Sequence, residues 1–217
     1  MKRTRALGWL AVLGLLAGLV AAFGYAPRES TQGNVQRIMY LHVPAVLTAY
    51  LAYGLVLVGS VGYLATRRLG WDRLAASAAE IGLLFNGITI ASGSIWGRPT
   101  WGVWWTWDAR LTATAVLFLV YAGYLLLRGV IEDREMRARF SAVLGIVGVA
   151  NIPIVHFSVL WWRTLHQPPA VLAPGPAPVA GSIQLALAIN WLAFTLLFAY
   201  FLSRRVEIAR LEDDLEP

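Results

Sequence analysis

Apolar residues run along this chain in long unbroken stretches, separated by short segments rich in arginine, tryptophan or proline. Six stretches reach the roughly 20 residues that a helix needs to cross the hydrocarbon core of a bilayer. They are residues 6–25, 41–65, 74–95, 109–127, 140–162 and 183–202. Backbone groups in lipid must pair with one another, and a β-barrel would show short alternating segments instead. The pattern therefore predicts an all-α polytopic bundle of six transmembrane helices, forming one domain over residues 1–217.

The composition agrees with a bilayer environment, since 58% of the residues are apolar, 14% are charged and the mean hydropathy is +0.61. The chain has no cysteine, which excludes disulfides, thiolate metal sites and thiol catalysis. The net charge of +6 does not indicate nucleic-acid binding, because the basic residues form short clusters between apolar runs. No phosphate-binding glycine loop occurs, so any ATP-driven step must come from a partner.

The distribution of Lys and Arg predicts the sidedness of the bundle. Thirteen of the 18 lie before the first helix, after the sixth, or in the connections between helices two and three and helices four and five. By the positive-inside rule these segments and both termini are cytoplasmic. Residues 26–40, 96–108 and 163–182 then face outward. The last of these has five prolines between 168 and 178, which predicts an extended, irregular segment.

The outward loop 96–108 holds half of the ten tryptophans. Five of them fall within twelve positions: Trp96, Trp101, Trp104, Trp105 and Trp107. One interpretation is an aromatic belt at the membrane interface. A belt spreads one or two indoles at each helix end, however, and the opposite face has only Trp71. The density favours a rigid aromatic platform for a planar apolar ligand, on a loop shaped by Gly97, Gly102 and Pro99.

Charged residues beside this loop extend the candidate site. Asp108 immediately precedes the fourth helix, so its simplest role is to cap the helix N-terminus. Arg110 falls in the first turn of that helix, where a cation opposes the helix dipole. A cation in this unfavourable position beside an aromatic platform predicts that Arg110 binds an anion, such as a carboxylate of the ligand. Arg98 and Arg163 are candidates for the same role.

All three histidines are expected on the same outward side. His42 lies just before Pro44, which suits a first helical turn, so His42 is assigned to the lead-in of the second helix. His156 lies in the outer part of the fifth helix and His166 follows that helix. A lone histidine is usually a hydrogen-bonded structural residue, but that interpretation does not predict three beside the tryptophans. A planar ring with two propionates and an iron that takes one or two imidazoles fits these groups, so the predicted ligand is haem, bracketed by His42 and His166.

The segment 96–108 resembles the tryptophan-rich WWD signature of the haem-handling membrane proteins of cytochrome c maturation. Within that superfamily, the six-helix layout, His-Val-Pro-Ala at 42–45 and Trp-Trp-Arg-Thr-Leu-His-Gln at 161–167 resemble the CcmC family, haem exporter protein C. The resemblance covers nearly the whole chain. His156 and Arg163 depart from the family pattern, so His156 stays outside the predicted ligand set and the resemblance does not support a propionate role for Arg163.

The resemblance implies a non-enzymatic haem-transfer subunit of the bacterial inner membrane. His42 and His166 would be the axial ligands of b-type haem at the periplasmic face, and the tryptophan loop with Arg98, Asp108 and Arg110 would cradle the ring. The haem would pass to the chaperone CcmE. The ATP-binding cassette subunits CcmA and CcmB and the small protein CcmD are the implied neighbours.

Two other functions stay open from the residues alone. Glu80 and the intrahelical residues Asn86, Asn151 and Asn190 are interpreted either as packing groups, with Glu80 reaching Arg73, or as the pathway of a channel or carrier for another small solute. The third possibility is a scaffold whose tryptophan loop docks an extracytoplasmic partner.

Overall fold

The structure, a computed structural model, describes residues 2–167 and 181–215, so the predicted proline-rich extended segment lies mostly outside the described residues. Seven α-helices are found in these ranges: α1 (Lys2–Val20), α2 (Met39–Thr66), α3 (Leu69–Trp101), α4 (Ala109–Val130), α5 (Arg134–Val149), α6 (Asn151–Trp161) and α7 (Gly181–Leu215). A π-helical turn (Ala21–Tyr25) continues α1, and a 3-10 turn (Val35–Ile38) leads into α2. No β-strand occurs in the described ranges, which confirms the all-α prediction.

Six helical segments among the described residues are long and apolar enough to cross a membrane. The fifth consists of α5 and α6 together, because the helix is interrupted at Ala150. Pro153 cannot donate to the carbonyl of the preceding turn, which is a sufficient cause for the break. These segments confirm a multi-pass membrane protein with six spans.

The third helix is longer than the hydropathy pattern predicts. It continues through Trp96 to Trp101, so the first half of the predicted outer loop 96–108 is helical. It ends at Gly102, which has a φ of +80° and donates its backbone N–H to the Arg98 carbonyl at 3.0 Å. A left-handed residue at a helix C-terminus is a role that glycine fills without steric cost. The prediction that Gly102 shapes a turn is confirmed, whereas the same prediction for Gly97 is wrong, because Gly97 and Pro99 lie inside the helix.

The start of α2 also differs from the prediction. Helix α2 begins at Met39, so His42 is a helical residue and not part of the lead-in. The preceding 3-10 turn has already brought the chain into helical geometry. Pro44 therefore falls in the second turn, where its missing N–H removes one backbone hydrogen bond. As a result, the backbone of His42 is fixed by a helix.

Helix α2 lies at the centre of the bundle and packs against α3, α5 and α7, while α1 packs along α7. The three intrahelical asparagines each donate a hydrogen bond to a neighbouring helix. Asn86 bonds the Tyr53 hydroxyl at 3.4 Å, Asn151 the Ala113 carbonyl at 2.7 Å and Asn190 the Gly18 carbonyl at 3.1 Å. These bonds confirm the interpretation of the asparagines as interhelical contacts.

Ion pairs gather at the end of the bundle where α3 and α5 begin and α4 and α7 end. Glu80 accepts a hydrogen bond from Arg205 at 2.6 Å, which joins α3 to α7. The predicted pair between Glu80 and Arg73 is wrong, since Arg73 pairs with Asp213 at 3.1 Å. Sequence spacing favoured a partner on the same helix, whereas the packing of α7 against α3 supplies a closer one.

The pair between Asp72 and Arg128 is the best-formed of these contacts. Two parallel hydrogen bonds of 2.7 and 2.9 Å join the guanidinium to the carboxylate, and the Asp72 side chain is only 10% exposed. Each residue also has the favourable sign for its helix end, since Asp72 lies in the first turn of α3 and Arg128 in the last turn of α4.

We expect Asp72→Asn to lower the free energy of unfolding by about 3 kcal/mol, because it leaves the buried Arg128 guanidinium without a counter-charge. Thermal unfolding of the detergent-purified protein measures the change. The matched control is Glu135→Gln, which removes an exposed contact with Arg67 at 4.0 Å and is expected to cost less than about 1 kcal/mol. Equal melting temperatures for the two variants would contradict the prediction.

Candidate functional site

A cavity of about 250 Å³ lies where the N-terminal ends of α2 and α4 meet the C-terminal ends of α3 and α6. Most of its wall is apolar. The polar and aromatic residues that line it are Gln32, His42, Tyr50, Asn86, Thr89, Ser94, Trp96, Thr100, Trp101, Trp105, Arg110, Thr114, His156, His166 and Gln167. All three histidines of the chain therefore line one cavity, at the opposite end of the bundle from the ion pairs.

His42 extends from the second turn of α2 towards α3. Its Nδ1 lies 3.0 Å from the hydroxyl oxygen of Ser92. The edge of its ring contacts the indole of Trp96, with the ring centroids 5.8 Å apart. Two residues one helical turn apart on α3 thus hold the imidazole.

His166 lies in the short segment that follows α6. Its ring packs edge-on against Trp101, with the centroids 4.7 Å apart, and its Nδ1 is 3.6 Å from a carboxylate oxygen of Asp108. Burial lowers the pKa of His166 to about 4; the charge of Arg110 acts in the same direction and Asp108 opposes it. The imidazole is therefore neutral at physiological pH, which is the form that binds metals.

Asp108 connects α4 to the segment that carries His166. One carboxylate oxygen accepts the backbone N–H of Leu111 at 2.9 Å, which confirms the predicted N-cap. The other oxygen lies 3.4 Å from the backbone N of Leu165, next to His166. Because Asp108 has both contacts, the position of His166 depends on the start of α4.

Arg110 is partly buried and places a positive charge at the cavity. Its Nη2 donates to the His156 carbonyl at 2.7 Å, and its Nε is buried without a hydrogen-bond partner among the described residues. Within those residues no Asp or Glu forms an ion pair with it. A partly buried guanidinium that has one carbonyl partner among the described residues is a strong site for an anion.

The tryptophans of the predicted platform divide into two sets. Trp96, Trp101 and Trp105 line the cavity. Trp104 and Trp107 lie outside its lining and are 59% and 78% exposed, as the aromatic-belt interpretation predicts for some of these rings. The cavity thus has three of the five indoles, and the exposed pair faces the surroundings of the bundle.

Two predicted arginines also lie outside the cavity lining. The Arg98 guanidinium donates to the Gly102 carbonyl and so caps the C-terminus of α3. Arg163 is exposed. Of the arginines considered as partners of an anionic ligand, the structure brings only Arg110 to the histidines.

The structure adds residues that sequence reasoning missed. Gln32 accepts a hydrogen bond from the Trp96 indole N–H at 2.8 Å. Glu29 holds this turn by accepting the backbone N–H groups of Gln32 and Thr31, which lowers the pKa of its carboxyl group. Ser92 lies four positions before Trp96, a spacing that could have shown a shared helix face. No local pattern marks Gln32.

The fold and the cavity define a polytopic helical membrane protein with three imidazoles, three indoles and one partly buried guanidinium around an apolar space. The family model described as "CcmC: Heme exporter protein C" matches residues 1–216, and the chain belongs to this family. The fold prediction and the family resemblance are therefore both confirmed.

Individual relatives agree with this assignment. Heme exporter protein C of Bradyrhizobium diazoefficiens is 41% identical over 95% of this chain and 80% of its own length. Heme exporter protein C of Escherichia coli strain K12 is 35% identical over 94% of this chain and 88% of its own. A putative cytochrome c biosynthesis ccmC-like mitochondrial protein of Marchantia polymorpha is 40% identical over 67% of this chain and 61% of its own.

Proposed function

We propose that this chain binds b-type haem in the cavity and presents it at the periplasmic face of the inner membrane for transfer to the chaperone CcmE. The observation that carries the proposal is the meeting of His42 and His166 in one cavity, although they are far apart in the sequence. The relatives are named as haem exporters. In this chain we infer a transfer of haem without enzymatic chemistry. CcmA, CcmB and CcmD are the proposed neighbours in the membrane.

The chemistry of the cavity supports a porphyrin ligand. An iron porphyrin offers a flat apolar ring, two carboxylates and two axial positions. Three indoles and an apolar wall suit the ring, and the two imidazoles suit the axial positions. No group of three His, Asp or Glu side chains that could hold a bare metal ion occurs among the described residues. An iron bound here would thus depend on the porphyrin nitrogens for its remaining ligands.

The partly buried charge of Arg110 supports the same ligand. A guanidinium binds a carboxylate through two parallel hydrogen bonds, and these bonds strengthen where water is excluded. Arg110 uses Nη2 for the His156 carbonyl and keeps Nε without a partner among the described residues. A haem propionate would satisfy it.

Asp108 and the tryptophans would act on the ligand through the histidines. Asp108 fixes the segment of His166, and Trp101 packs against the same ring. Trp96 packs against His42. These contacts hold both imidazoles in place before the ligand arrives, which lowers the entropy cost of binding.

A carrier for another solute has less support. Glu80 is paired with Arg205 at 2.6 Å, and each of the three asparagines bonds a neighbouring helix. Groups that line a solute pathway have to be able to exchange partners. These residues instead hold helices together, and this includes Asn86, although it also lines the cavity.

The absorption spectrum of the protein tests the proposal directly. We expect protein purified in mild detergent from haem-replete cells to show a Soret band, with the visible bands of a low-spin iron that has two imidazole ligands. Addition of haemin to haem-free protein should restore the same spectrum at about one haem per chain. Protein that stays colourless under both conditions would contradict haem binding.

The proposed orientation has a separate test. Both termini would lie in the cytoplasm, because thirteen of the 18 basic residues lie on that side of the spans. A periplasm-dependent reporter fused after Ser30 should be active, and one fused after Glu132 should be inactive. The inverse result would place the cavity on the cytoplasmic side and contradict presentation to a periplasmic chaperone.

A further inference from the structure

Ser92 is a buried polar residue next to His42 that the proposed function leaves without a role. It lies on α3 with only 4% of its surface exposed. Its hydroxyl oxygen is 3.0 Å from His42 Nδ1 and also 2.6 Å from the Ile88 carbonyl oxygen. A third, longer contact of 3.3 Å reaches the Thr89 carbonyl.

The direction of the hydrogen bond to His42 follows from counting protons. A hydroxyl has one proton, and a carbonyl oxygen can only accept. The short contact to Ile88 therefore uses the Ser92 proton, and the contact to Thr89 can only share it. The bond between Ser92 and His42 then requires a proton on Nδ1, donated to the serine oxygen.

The position of the imidazole agrees with this assignment. A Cβ built on Gly93 would lie 3.0 Å from His42 Cε1 and 3.5 Å from Nδ1, so this edge of the ring lies against α3. Trp96 contacts the same ring. The ring is thus held through Nδ1 and Cε1, and an imidazole whose single proton is on Nδ1 has its lone pair on Nε2.

We propose that Ser92 is a positioning residue that fixes His42 in the Nδ1–H tautomer and so presents Nε2 as the ligand for the haem iron. The inference rests on the proposed function, since it needs an iron at this cavity. In metal sites, the hydrogen bond made by one imidazole nitrogen fixes the tautomer and orientation of the other. Here the partner is an uncharged hydroxyl in a rigid helix.

The two histidines are therefore held differently. His42 has a neutral partner at hydrogen-bond distance, whereas His166 has the carboxylate of Asp108 at 3.6 Å. A hydroxyl partner increases the electron donation of an imidazole less than a carboxylate at hydrogen-bond distance would. Loss of the Ser92 hydroxyl should thus affect orientation more than donor strength.

The first part of the test uses haem-free protein labelled with ¹⁵N-histidine. We expect the nitrogen shifts of His42, assigned by comparison with His42→Asn, to report a proton on Nδ1 in the wild type. In Ser92→Ala at least part of the population should carry the proton on Nε2. A wild-type proton on Nε2, or an unchanged Nδ1–H signal in the variant, would overturn the inference.

The second part measures haem. Ser92→Ala should weaken haem affinity roughly 10–100-fold, the usual cost of losing a residue that orients a metal ligand. The control is Ser158→Ala, since Ser158 is a fully buried serine whose hydroxyl, among the described residues, bonds the Val155 carbonyl of its own helix. Equal affinity of Ser92→Ala and the wild type would overturn the inference and leave the proposed function intact. If the wild-type protein bound no haem, both the inference and the proposed function would be overturned, whichever tautomer His42 adopts.

Discussion

We expect His42→Ala and His166→Ala each to abolish most of the Soret absorbance of the purified protein, and His156→Ala to retain it. Each of the first two variants removes one imidazole from the proposed iron site. The loss should exceed the roughly 10–100-fold that follows from removing an outer partner of a metal ligand. His156 is a matched control because it is a histidine of the same cavity whose ring packs against Tyr50 and Phe157.

Spectra of the variants separate ligand loss from misfolding. A folded variant with one remaining imidazole should show a high-spin spectrum when haemin is added in excess. Thermal unfolding in detergent checks that the fold is retained. Haem retention in both alanine variants, or a loss confined to His156→Ala, would show that His42 and His166 are not the axial pair.

Arg110→Gln is expected to weaken haem binding by about 10–100-fold, because a hydrogen bond to a charged group contributes about 1.5–3 kcal/mol. The loss should be specific for the propionates. Haem dimethyl ester, which has no free carboxylates, should bind the wild type and Arg110→Gln with nearly equal affinity. Titration of detergent-purified protein with both ligands measures the difference.

Arg98→Gln is the control for this experiment. Arg98 caps the C-terminus of α3 and lies outside the cavity lining, so its loss should affect stability more than haem affinity. If Arg110→Gln weakened haem and its ester equally, Arg110 would act by shaping the cavity and not by binding propionates.

The division of the tryptophans shows where sequence reasoning stopped. The prediction that residues 96–108 form a loop treats all five indoles as equivalent. Because α3 continues to Trp101, helical geometry fixes the directions of Trp96 and Trp101, and the remaining turn directs Trp105 inward and Trp104 outward. The end of a helix near the membrane surface depends on capping by Gly102 and Arg98, which hydropathy does not detect.

The sequence by itself determined the features that depend on local chemistry. Six apolar stretches predicted six spans because lipid leaves a backbone no other way to satisfy its polar groups. The residue type and position of Asp108 predicted a helix cap, and the motifs around His42 and His166 predicted the family. Each of these inferences requires only neighbouring residues.

Only the tertiary structure decided the contacts between helices. His42 meets Ser92, His166 meets Asp108, and Glu80 pairs with Arg205 and not with Arg73. Such pairs depend on how each helix is rotated about its axis and on which helices are neighbours. Long-range packing sets both, and no periodicity within one helix encodes them.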